Sequence, residues 1–239
     1  MKVALIGTGK MGLAVAEILS RQGDEIVLRV NAENRTPDDD NALKQADVAI
    51  EFTQPEAVID NILWCFSAGV PVVVGTTGWH QRQEEMKAAC HHYQGTLFHA
   101  PNFSIGVNLF FETVRHLGQL MNTHPEYDFN IEEIHHTEKK DAPSGTAIRT
   151  ADILLNAISR KTSWHLNATA ADQIAIKAIR EPGIPGTHTV TFKSAADTLV
   201  VQHTAHSRQG FAEGAVAAAR FVVGKKGWFE MKDLLHFPV

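Results

Sequence analysis

The stretch His135-His136-Thr137-Glu138-Lys139-Lys140-Asp141-Ala142-Pro143-Ser144-Gly145-Thr146 holds the residue types that proton transfer and anion binding require. His135 can donate a proton near neutral pH. Lys139 supplies a compact positive charge. The stretch lies between a strand expected over 129–135 and a helix expected over 144–158, and Asp141 or Ser144 can cap that helix. The backbone N–H groups of Gly145 and Thr146, with the Ser144 and Thr146 hydroxyls, make an anion site suited to a carboxylate. Glu132, Glu133, His135 and His136 could also suggest a metal. They lack HExxH spacing, and adjacent strand residues face opposite ways, so no metal is expected. His91-His92 reads as a solvated pair on a surface helix.

A second motif opens the chain. Gly7-Thr8-Gly9-Lys10-Met11-Gly12 fits G-x-G-x-x-G, follows a strand directly and opens a helix. Gly7 permits a tight turn, Gly9 lets backbone approach a pyrophosphate, and Gly12 lets helix and strand pack closely. The helix N-terminus offers N–H groups to phosphates. The acid usual at the end of strand two is not evident: Asn31 stands near its place, with Glu33 two residues later. A carboxylate there favours the ribose hydroxyls of NAD, whereas Arg35 or Lys10 would accommodate the 2′-phosphate of NADP.

The elements that position these motifs follow from periodicity. Strands are expected over 2–6, 25–30, 48–52, 70–74 and 96–99. They alternate with helices over 11–21, 39–45, 55–68 and 80–93, the pattern of βαβ units on a parallel sheet. After about Asn102 the pattern changes: a long helix over 107–121, a strand over 129–135 and a helix over 144–158. Strand-like runs at 173–179, 187–194 and 198–204 come next, before a last helix over 211–223. The fold class is therefore α/β: a Rossmann-type parallel-sheet domain, residues 1–104 and 208–239, plus an α+β domain with an open mixed sheet, residues 105–207. The polar stretch 31–41 reads as a surface loop.

Composition narrows the class. The net charge is −5, from 22 basic and 27 acidic residues, which argues against a general nucleic-acid binder. No apolar run approaches ~18 residues, so no membrane span is expected. Cys65 and Cys90 form no CxxC, which excludes a disulfide framework and fits a reducing compartment. Met1–Gly7 runs straight into the glycine turn with no room for a signal peptide, and a cytoplasmic location is expected.

These residues resemble the dihydrodipicolinate reductase family of bacterial lysine biosynthesis. That family's segment E-x-H-H-x-x-K-x-D-A-P-S-G-T matches Glu133–Thr146 at every specified position. Phe52-Thr53-Gln54-Pro55-Glu56, Gly75-Thr76-Thr77-Gly78, Ala100-Pro101-Asn102-Phe103-Ser104, Gly106-Val107-Asn108 and Ser207-Arg208 follow in the family's order. The resemblance implies reduction of 4-hydroxy-tetrahydrodipicolinate, with loss of water, to tetrahydrodipicolinate by NADH or NADPH. It also implies a homotetramer built through the sheet of the second domain. Carried over, His135 is the general acid, and Lys139 a second proton donor that also binds the dicarboxylate. His136, Ser144, Gly145 and Thr146 are substrate ligands. Gly75, Thr76, Thr77 and Ala100, Pro101, Asn102, Phe103 lie on the nicotinamide side, while Gly7, Thr8, Gly9, Lys10, Met11, Gly12 and Asn31 hold the rest of the cofactor. The family more often has one more residue in its glycine loop, with Arg where this chain has Lys10, and its region after strand two is longer. Both departures touch the adenosine end. Another two-domain dehydrogenase, or a non-catalytic dinucleotide-sensing module, are the alternatives that the glycine loop alone would allow.

Overall fold

The computed structural model describes residues 1–31 and 35–237; the expectation for Glu33 falls outside them. The chain divides into two compact units, Met1–Ile105 with Arg208–Val239, and Gly106–Ser207.

The first unit carries β1 (Lys2–Ile6), α1 (Lys10–Arg21), β2 (Glu25–Val30), α2 (Asp39–Leu43), β3 (Val48–Glu51), α3 (Val58–Ser67), β4 (Val72–Val74), α4 (Gln83–His92) and β5 (Thr96–His99). The six-stranded sheet, completed by β11 (Gly227–Phe229), runs β11-β5-β4-β3-β1-β2, and every pairing is parallel. Apart from Glu51 at the end of β3, the buried residues of its central strands are apolar because helices cover both faces. Val3, Leu5, Val48 and Ile50 pack with α1 and with the alanine-rich α7 (Gln209–Val222), while Ala4, Ile6, Ala49 and Val72 pack with α3 and α4. The chain leaves β1 for β2 on one side and reaches β3 on the other. That reversal opens a crevice beyond the strands' carboxyl ends, where α/β sheets bind ligands.

Three expectations shift here. Pro55 does not start a helix: the chain turns over 55–57 and α3 begins at Val58. The helix expected over 80–93 is a short 3-10 turn, His80–Arg82, followed by α4. A short β11 and α8 (Met231–Leu235), neither expected, complete the unit.

The second unit holds α5 (Ile105–Met121), β6 (Asp128–His135), α6 (Gly145–Ala157), β7 (Ser163–Leu166), β8 (Gln173–Arg180), β9 (Gly186–Lys193) and β10 (Thr198–Ala205). The sheet order is β10-β9-β6-β8-β7, antiparallel from β10 to β6 and parallel from β6 to β7. Phe129 and Ile131 of β6, Ile174 and Ile176 of β8, and Val190 and Phe192 of β9 bury themselves under α5 and α6. At the edge strand β10, Leu199 is 44% and Val200 57% exposed. Among the described residues no helix is long and apolar enough to cross a membrane.

Candidate active site

In the second unit the alternation of β6 decides which motif residues go inward. Phe129, Ile131, Glu133 and His135 share the buried face, and Glu132 turns the other way to meet Lys177 at 3.0 Å. Glu133 is a fully buried carboxylate. Both of its oxygens accept from the Ser144 N–H, at 3.0 and 3.1 Å, and Arg180 Nη2 donates to Oε1 at 3.2 Å. His135 Nδ1 and His188 Nε2 lie 3.4 and 3.9 Å from Oε2. Burial pushes this carboxyl up, yet the His135 ring and Ser144 outweigh it and hold the group down at about 2.

Two of these partners come from strands that carry no motif. In register, Glu133 stands opposite His188 of β9, and His135 opposite Arg180 of β8. Burial, and then the neighbouring His135, push His188 down to about 3, so it is neutral. Its Nε2 lies 3.2 Å from Ser144 Oγ. Arg180 also donates to the backbone carbonyls of Asp141 at 2.6 Å, Ile179 at 2.8 Å and Lys139 at 3.4 Å. One guanidinium thus ties the loop carrying Lys139 to the Glu133 carboxylate.

Glu133, His135 and His188 offer ligand atoms within 4.8 Å of one another, a grouping that β6 alone did not reveal. Alternation puts Glu133 and His135 on one face, so it does not by itself argue against a metal here. The Arg180 guanidinium already bonds this carboxylate, and it opposes a second cation there.

The loop and helix that follow complete the site. Lys139 Nζ donates to both oxygens of Asp141, at 2.7 and 2.9 Å, so Asp141 pairs with Lys139 and Ser144 is the cap of α6. Ser144 is nearly buried, and its hydroxyl accepts from Ala147 N–H at 3.2 Å while facing His188. Its N–H and hydroxyl are therefore engaged inside the protein, which leaves the first-turn N–H groups of Gly145 and Thr146 as the helix-end donors. A Cβ built on Gly145 meets nothing within 4 Å, so this approach is open. His135 is 7% exposed, with its Nε2 3.0 Å from where a Gly186 Cβ would stand. Gly186 is what gives that ring room.

In the first unit the candidate residues lie at the carboxyl ends of parallel strands: Gly7–Gly12 after β1, Asn31 after β2, Gly75–Thr77 after β4 and Ala100–Phe103 after β5. Gly7 has φ +107°, and a Cβ there would stand 2.0 Å from the Phe52 carbonyl oxygen. A Cβ on Gly12 would stand 2.0 Å from the Gly7 carbonyl oxygen, whereas Gly9, the N-cap of α1, faces open space. Two residues packed tight and one left open is the arrangement that suits a pyrophosphate on a helix N-terminus. Arg35 lies 3.9 Å over the Trp64 ring, whose Nε1 donates to Asp40 at 2.6 Å. Ala100 and Phe103 differ from the rest. Both are core side chains, Phe103 packing on Phe52 and Phe98 at 5.8 Å each, so only their backbone can face a ligand.

Residues 1–103 match the family described as dihydrodipicolinate reductase, N-terminus, and residues 106–235 its C-terminus. A 4-hydroxy-tetrahydrodipicolinate reductase of Christiangramia forsetii is 43% identical over 235 residues, covering 98% of each chain. One of Ralstonia nicotianae is 35% identical and covers 98% of this chain and 99% of its own. Among solved structures, a dipicolinate-bound dihydrodipicolinate reductase from Paenisporosarcina sp. TG-14 shares the fold, with a TM-score of 0.78, 24% identity, and 96% and 97% of the two chains covered.

Proposed function

We infer that this chain, which belongs to the dihydrodipicolinate reductase family, catalyses the dinucleotide-dependent reduction of 4-hydroxy-tetrahydrodipicolinate to tetrahydrodipicolinate. The observation that carries the reading is the buried frame around Glu133, which fixes His135, Ser144 and the Lys139 loop together. In this reading the first unit is the cofactor domain and the second the substrate domain.

Loss of water leaves a cyclic conjugated imine, an electrophile. Bound NADH or NADPH supplies the hydride. Charge then develops along the C=C–C=N system, and a proton returned to carbon restores the imine. His135, whose Nδ1 lies 3.4 Å from the Glu133 carboxylate, is the proton donor. Lys139 places its charge beside a substrate carboxylate, exchanging Asp141 for it. The N–H groups of Gly145 and Thr146 receive the same carboxylate, and His136 is a further ligand of the substrate. Ser144 acts as the anchor that aims this helix end.

Both NADH and NADPH serve, since Lys10 and the stacked Arg35 offer cations and no carboxylate stands among the described residues at the end of β2. The exposed Leu199 and Val200 of β10 support assembly through this sheet into the homotetramer expected of the family. The deciding experiment adds NADPH, or NADH, to the condensation product of pyruvate and aspartate semialdehyde and follows nicotinamide absorbance. Consumption dependent on both substrates supports the reading, and none with either cofactor overturns it.

A further inference from the structure

A second buried carboxyl group lies in the first unit. Glu51 ends β3, fully buried, at a position where the strand's other residues are Val48, Ala49 and Ile50. Its Oε1 accepts from Thr53 Oγ1 and, at 3.3 Å, from Asn61 Nδ2 of α3. Asn61 Nδ2 also reaches Thr53 Oγ1 at 3.3 Å. Its Oε2 is buried with no hydrogen-bond partner among the described residues. A buried, half-satisfied carboxyl is costly and needs a reason.

The surroundings supply one. Thr53 N–H donates to Thr76 Oγ1 at 2.8 Å, and Gly75 N–H donates to the Glu51 carbonyl at 2.8 Å. Gly75 packs so tightly on the Phe52 ring that a Cβ would stand 1.9 Å from it. Trp79 Nε1 closes the turn onto the Thr76 carbonyl at 2.7 Å. The turns after β3 and β4 are thus one unit, and the Glu51 side chain is its buried post. The β4 turn, Gly75–Thr77, is the one assigned above to the nicotinamide side.

We propose that Glu51 is a positioning residue for the nicotinamide end of the cofactor, acting through Thr53 and Thr76 on the Gly75–Thr77 turn. This rests on the reductase reading of the site. Burial pushes the Glu51 carboxyl up from its ordinary value, against the pull of its hydrogen bonds, which fits a group retained for geometry rather than for charge. A neutral amide of the same shape should therefore serve nearly as well.

The test compares Glu51→Ala, Glu51→Gln and Thr53→Val with the unaltered chain. It measures NADH affinity by calorimetry, KM and kcat, and the isotope effect with NADH deuterated at C4. Glu51→Ala should weaken NADH roughly tenfold, about the loss of one strong buried hydrogen bond. It should also enlarge the isotope effect as hydride transfer becomes limiting, with the KM for the dicarboxylate little changed. Glu51→Gln should restore both, and Thr53→Val should repeat the loss even if Glu51→Ala does not fold. Calorimetry with NADH alone involves no dicarboxylate, so lost affinity supports the proposal even in a chain that reduced nothing. A lowered Tm with unchanged NADH affinity and isotope effect, in Glu51→Ala or in Thr53→Val, would overturn it and leave Glu51 a structural residue.

Discussion

The second unit should lose stability steeply below neutral pH, and one histidine should account for most of the loss. His188 is held at about 3 in the folded chain, against an ordinary 6.5. The unfolded chain therefore binds a proton that the native state refuses, and stability falls as pH falls. The loss begins near 6.5 and continues toward 3. Each unit is worth about 1.4 kcal/mol, so on the order of 3 kcal/mol disappears between pH 7 and pH 4. Glu133 works in the same direction at lower pH. Its stabilisation is complete above about 4.5 and is lost as pH falls toward about 2. The two groups stand 3.9 Å apart, so their contributions are coupled and do not simply add. His203, which burial also holds below its ordinary value, adds to the slope. Amide hydrogen exchange of the buried strands β6, β8 and β9, followed in urea titrations, reports that unit. The expected slope is close to one proton taken up on unfolding between pH 6 and pH 4. His188→Gln, which keeps a hydrogen-bonding group near Ser144, should remove most of it. A wild-type slope near zero, or a His188→Gln slope equal to wild type, would refute the assignment of His188 as a buried neutral imidazole.

Other substitutions probe the site directly. His135→Ala and Lys139→Ala should each lower turnover by roughly 10²–10⁴-fold, the usual range for a positioned acid, with NADH affinity by calorimetry unchanged; near-normal turnover at saturating substrate would remove both from the mechanism. Arg180→Met strands the Glu133 carboxylate and releases the Lys139 loop. It should cost on the order of 2–3 kcal/mol in urea titration and depress kcat well beyond what the folded fraction explains. Lys10→Ala should weaken NADPH more than NADH by roughly fivefold, as expected for about 1 kcal/mol from an exposed charge contact; equal losses in paired titrations would restrict Lys10 to the pyrophosphate.

Local pattern revealed the elements that carry the chemistry, and it failed where a residue's role depends on a neighbouring strand. The alternation of β6 and the Ser144 cap were legible because both are set within a few residues. β7, β11 and α8 were not. Ser163–Leu166 has no run of branched apolar residues, and β11 is three residues long, held by its pairing with Thr96, Leu97 and Phe98 of β5. The same limit governs the site. Arg180 and His188 carry no motif, and their functions exist only because β8 and β9 pair with β6 at one register, opposite His135 and Glu133. A shift of one residue in β8 would turn Arg180 to the other face, and a shift of one residue in β9 would do the same to His188. Phe103 shows the converse: its place after β5 reads as a ligand contact, yet the ring is in the core. Motif position gives the segment after β5, while the direction of the side chain is decided by Phe52, Phe98 and the Gly214 backbone that abuts its carbonyl. Glu51 combines both limits. The strand expected over 48–52 contains it without assigning it a role, and only the meeting of two turns and α3 around it makes it a buried post.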